Sequence, residues 1–66
     1  MEGSVAQNIR NFRNKKGITQ SELAKETDLS RNTIVNFETA RRDPRVKDLK
    51  KIANALDVPI EQLLAN

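Results

Sequence analysis

Arg31, Asn32, Val35 and Asn36 are spaced so that a helix would carry all of them on one side. Their chemistry suits flat heterocycles. A guanidinium donates two parallel hydrogen bonds to the O6 and N7 edge of guanine. A carboxamide pairs with N6 and N7 of adenine, and a branched aliphatic side chain touches a thymine methyl group. Ile34 and Phe37 lie on the opposite side, where they would face a core. Solvated helix faces are usually filled with Lys and Glu, which favour helix and solubility. Two asparagines and a β-branched valine do neither, so base-edge reading accounts for them better than plain solvation.

Composition removes most other chemistries. The chain has 66 residues and neither cysteine nor histidine. Disulfides, zinc sites and the usual nucleophile–base pairs are therefore excluded. A chain of this size makes one domain and buries only about 60% of its unfolded surface. So small a core leaves no room for a ligand pocket of the usual 300 Å³ or more (about the lower limit for such sites), and an enzyme is not expected. No metal or cofactor is expected either. No apolar run approaches the roughly 18 residues of a membrane helix, and no basic-then-apolar leader opens the chain. The first residues, MEGS, read as a frayed end, and a reducing cytoplasmic setting is expected.

Net charge is +3, and its distribution matters more than its size. All twelve basic residues lie between Arg10 and Lys51, whereas Ile52–Asn66 carries only Asp57 and Glu61. One end therefore suits a polyanion and the other does not. Arg10, Arg41, Arg42, Arg45 and Lys47 are candidate contacts to a phosphate backbone, each weighed against ordinary solvation of a helix or loop.

Helices must hold these side chains, since no window alternates like a strand. The pattern predicts an all-α chain with helices over about 4–16, 19–26, 30–39, 46–56 and 60–65. Ser4 is the first N-cap, and Val5, Ile9 and Phe12 form the inward stripe. Gly17 supplies a left-handed stop after Arg13, Lys15 and Lys16. Thr19 and Glu22 form a capping box, and Leu23 and Ala24 face inward. Thr27, Asp28 and Leu29 make the turn, with Asp28 suited to positive φ. Ser30 caps the next helix. Val46, Leu49, Ile52, Ala53 and Leu56 give the clearest helical period, and Pro59 opens a last short helix with Ile60, Leu63 and Leu64 as its apolar face.

Several motifs in order, I-R-x-x-R-x-x-K-G, T-Q-S-E-L-A, L-S-R-N-T-I, F-E, P and V-x-x-L-x-x-I-A-x-A-L-x-V, span about Ile9 to Leu64. In this order the chain resembles the Cro/repressor-type (XRE-like) helix-turn-helix DNA-binding family. The resemblance implies a compact five-helix bundle of the lambda-repressor-like type, with helices 2 and 3 forming the helix-turn-helix. It implies that Gln20 contacts a phosphate and braces the recognition helix. Ser30, at the start of that helix, is a further backbone candidate. It implies that Arg13 and Glu38 form an ion pair fixing helix 3 against helix 1, a direct phosphate contact from Arg13 being the alternative. It also implies that Arg45, beside Pro44, approaches the minor groove. Two departures stand out: Asp28 and Ala40 occupy positions where the family usually has glycine.

One such unit reads only a few base pairs, so specificity calls for two copies on half-sites about 34 Å apart. Val58, Ile60, Leu63 and Leu64 at the less basic end are the candidate dimer interface, the alternative being that all pack inside the chain. The leading expectation is a small transcriptional regulator, a repressor acting as a homodimer on a palindromic operator. The competing class is an antitoxin- or coactivator-type adaptor that grips a protein with the same fold.

Overall fold

The computed structural model describes residues 4–65; Met1–Gly3, included above in the frayed end, and Asn66 lie outside the described residues. The architecture is all-helical: α1 (Val5–Lys16), α2 (Gln20–Thr27), α3 (Arg31–Glu38), α4 (Val46–Leu56) and α5 (Ile60–Leu64).

Local signals start and stop the helices. Ser4 Oγ accepts from the Gln7 amide at 3.1 Å and caps α1. Gly17, at φ 79°, ends it by donating to the Arg13 and Asn14 carbonyls. The Thr19 hydroxyl accepts from the Glu22 amide at 3.0 Å, and the Glu22 carboxylate accepts from the Thr19 amide at 2.7 Å. That reciprocal box satisfies two otherwise orphaned donors. Asp28, at φ 60° and ψ 30°, makes the left-handed turn. Ala40 and Asp57 also take positive φ, at 61° and 59°. Each non-glycine residue in this region costs roughly 1–2 kcal/mol against the right-handed alternative, less for aspartate.

Some boundaries differ from the pattern. Thr27 belongs to α2, not to the turn, because its hydroxyl donates back to the Leu23 carbonyl at 2.8 Å and the residue is buried. Thr39 caps α3 instead of extending it. Pro59 stands at the N-cap of α5, one position earlier than a first-turn proline. Val46 begins α4 yet is 64% exposed, so the buried stripe of that helix starts at Leu49.

One core joins the elements. Ile9, Leu23, Ile34, Phe37, Ile52 and Leu63 are fully buried, each reaching the centre from its helix. Helix α3 packs on α1 and α2; α4 packs on α1, α2 and α5; α5 also lies along α1. Asn8 ties that last pair, donating to the Leu63 and Ala65 carbonyls at 2.9 and 2.7 Å. Lys16, at the end of α1, donates to the Ala55 carbonyl of α4 and lies 3.8 Å from Glu26 and 3.6 Å from Asp57. Helix α4 has no basic residue in its own last turn, so α1 provides the cation its C-terminal dipole favours.

Open depressions of about 580 and 530 Å³ mark the surface, the first between the end of α2 and α4, lined by Glu26, Thr27, Asp28, Lys51, Asn54 and Ala55, and the second along α1, lined by Asn8, Asn11, Phe12, Asn14 and Lys15. Both are open to solvent, whereas the centre of the domain is filled by buried side chains.

Candidate nucleic-acid interface

Helix α3 is anchored on one side only. Ile34 and Phe37 are buried and pin it to α1 and α2. Arg31 and Asn32 are exposed, and Val35 and Asn36 are half-buried, so all the base-edge candidates keep surface available. Helix α3 holds one acidic residue, Glu38, and it is buried to 3% exposure. The outward side of α3 therefore carries no negative charge to repel a phosphate-lined groove.

The N-terminus of α3 is held by hydroxyls. Ser30 Oγ accepts from the Thr33 amide at 3.0 Å and lies 2.8 Å from Thr33 Oγ1. Ser30 is thus first a helix cap, and its remaining capacity faces solvent. At the other end, the Asn36 carbonyl accepts from the Arg41 and Arg42 amides at 2.9 and 3.2 Å. The left-handed Ala40 lets the chain turn back for those bonds. Arg41, Arg42, Arg45 and Lys47 are all exposed along this connection and the first turn of α4. Arg10 is exposed on α1.

Behind the outward side of α3 sits a polar network. Arg13 Nε donates to Glu38 Oε2 at 2.6 Å and Nη2 to Oε1 at 3.0 Å, a two-pronged pair. Their side chains are 12% and 2% exposed. Arg13 Nη1 also donates to the Ile18 carbonyl at 2.9 Å, so the pair clamps α1, the connection to α2 and α3 together. Each guanidinium nitrogen of Arg13 thus donates to a partner within the chain. Gln20 Nε2 donates to Glu38 Oε1 at 3.1 Å, and Gln20 Oε1 accepts from Arg31 Nη2 at 3.4 Å. The link from Gln20 to Glu38 joins α2 to α3, where the resemblance implies a brace on the recognition helix. It spans eighteen positions, and no local pattern signals it. The same is true of the Lys16 and Asn8 ties.

Leu63 does not belong to an intermolecular surface. It is fully buried in this chain's own core, where it meets α1 and α4, and it has no area left to offer. Val58 and Ile60 are half-buried against that core, and Leu64 is 53% exposed.

These features define a helix-turn-helix: a capped α2, a left-handed turn and a one-side-anchored α3. A helix-turn-helix family model matches residues 9–63. The chain belongs to the helix-turn-helix transcriptional regulators of the Cro/repressor, XRE type. It is 44% identical to an uncharacterized HTH-type transcriptional regulator of Archaeoglobus fulgidus, over 83% of this chain and 79% of that one. It is 33% identical to the HTH-type transcriptional regulator ImmR of Bacillus subtilis over 92% of this chain, but spans only 48% of that relative's length. Among solved structures it is similar to the P22 c2 repressor in complex with a synthetic operator. The TM-score is 0.87 at 26% identity, with 92% of each chain covered.

Proposed function

We propose that this chain binds double-stranded DNA sequence-specifically as a repressor-type regulator, in two copies on a palindromic site. The observation that carries this reading is the side of α3 bearing exposed Arg31 and Asn32 and half-buried Val35 and Asn36, free of acidic side chains and backed by buried Ile34 and Phe37. Such a helix fits the major groove, with Arg31 suited to a guanine, the asparagines to adenine and Val35 to a thymine methyl. Arg10, Ser30, Arg41, Arg42, Arg45 and Lys47 supply contacts to the phosphate backbone. The P22 c2 repressor's complex with an operator supports this role.

Geometry also favours two copies. The chain measures 30 × 24 × 21 Å between Cα extremes and presents one reading helix. It cannot by itself occupy two successive major grooves, which lie about 34 Å apart. Leu64, with flanking Val58 and Ile60, is the apolar surface available for a second copy.

The test is selection of bound DNA from a random pool, followed by affinity measurements on the selected site. Arg31→Ala and Asn36→Ala are each expected to cost about 1–3 kcal/mol and to relax preference at one base. Unchanged preference in both variants overturns the reading. A selected site without two-fold symmetry overturns the dimer while leaving DNA recognition in place.

A further inference from the structure

Helix α1 holds two elements that have different tasks. Arg13 donates to Glu38 of α3 at 2.6 and 3.0 Å. Five positions earlier on the same helix, Asn8 Nδ2 donates to the Leu63 and Ala65 carbonyls at 2.9 and 2.7 Å. These two attachments stand about 7.5 Å apart along the axis of α1.

Helix α5 depends on the Asn8 bonds more than a long helix would. It has five residues and no side-chain cap at its start. The last four carbonyls of an α-helix lack partners within it, and Ala65 leaves α5 in extended conformation at φ −70° and ψ 150°. One carboxamide thus holds the carbonyls on both sides of Leu64, where the chain stops being helical. Leu63 is fully buried, whereas Leu64, between the held carbonyls, is 53% exposed.

We infer that Asn8 is a specificity-determining positioning residue for the separation of two half-sites. It fixes α5, and with it Leu64, to the helix that also holds α3, and so sets how far apart the reading helices of two copies stand. Half-sites about 34 Å apart place each reading helix about 17 Å from the two-fold axis. A tilt of about 10° at that axis moves each reading helix by about 3 Å, close to the rise of one base pair (about 3.4 Å). A loosely held α5 would let the pair adapt to several spacings, and a fixed one admits a single spacing.

The inference rests on the proposed pairing of two copies through Leu64, and the experiment separates the two. Binding is measured for the wild-type chain, Asn8→Ala and Asn8→Asp. The probes are the selected site and the same site with its centre lengthened or shortened by one base pair. Asn8→Ala removes both bonds and places a good helix former within α1, while buried Leu63 still seats α5, so the variant folds. Asn8→Asp sets a carboxylate against two carbonyls; where it unfolds, Asn8→Ala carries the test. The wild-type chain is expected to prefer the selected spacing by about tenfold or more, and Asn8→Ala by about threefold or less, with base preference inside each half-site unchanged. A uniform loss of affinity with the spacing preference intact identifies a merely structural contact and overturns the inference. So does unchanged binding, or a wild-type chain that accepts all three spacings equally. A selected site without two-fold symmetry, seen with the wild-type chain alone, removes the pairing itself, and the inference falls with it.

Discussion

Removing the Glu38 carboxylate is expected to be the most damaging single change to this fold outside its apolar core. Glu38 accepts three hydrogen bonds, from Arg13 Nε at 2.6 Å, Arg13 Nη2 at 3.0 Å and Gln20 Nε2 at 3.1 Å, with its side chain 2% exposed. Glu38→Ala leaves the Arg13 guanidinium charged and 12% exposed, with only the Ile18 carbonyl to accept from it. Breaking a buried pair in this way costs about 3–5 kcal/mol. A chain of this length has about 3–10 kcal/mol of stability in total. The variant should therefore lose at least about 12 °C in Tm, from roughly 4 °C per kcal/mol in small domains, and is expected to be largely unfolded at 37 °C. Thermal and urea unfolding followed by helical circular dichroism measures this directly. The companion variant, Arg13→Met with Glu38→Leu, removes both charges and refills the volume. It should return to within about 1 kcal/mol of the parent, because an apolar replacement of a buried pair is often neutral. A loss below about 1 kcal/mol for Glu38→Ala would mean that the pair behaves like a solvated surface contact, and the clamp argued for it would be wrong.

Three further predictions follow from backbone and burial. Ala40→Gly relieves a left-handed alanine at φ 61°; against the extra freedom glycine has when unfolded, the net gain is about 0.5–1 kcal/mol, visible as a higher urea midpoint with unchanged slope. Leu64→Glu should leave the melting curve nearly unchanged, since the residue is 53% exposed, yet reduce the mass of the assembly seen by sedimentation on or off DNA. By contrast Leu63→Ala, at full burial, should cost about 2–5 kcal/mol of folding stability whatever the state of assembly.

What was legible beforehand was local. Caps announce themselves within a turn, so Ser4, Gly17 and the Thr19–Glu22 box stood in the sequence as they stand in the structure. Periodicity placed Ile34 and Phe37 inward because burial repeats with the helix. Boundaries decided by a back-bonded hydroxyl, as at Thr27, were not legible, since the side chain could equally have capped a turn. Nor were two of the contacts between distant segments, Lys16 with Ala55 and Asn8 with Leu63. Their partners meet only because the core brings the helices together. Leu63 and Leu64 show the same limit in one step, adjacent and equally apolar, one inside and one outside. Only the direction of α5 against α1 tells them apart.

The tie from Lys16 to the end of α4 bears on whether the reading head is portable. Excised as a peptide, Gln20–Glu38 would lose Arg13, the Ile9 and Ile52 side chains and the Thr19 cap at once. Two helices of eight residues each are well below the length at which isolated helices persist in water (about 12–15 residues). Nor would deleting α1 spare the rest, since the last turn of α4 would lose the Lys16 ammonium and the α5 end its two Asn8 bonds. The base preference proposed for Arg31 can therefore be moved to another protein only as an alteration of an already folded relative, never as a transplanted segment.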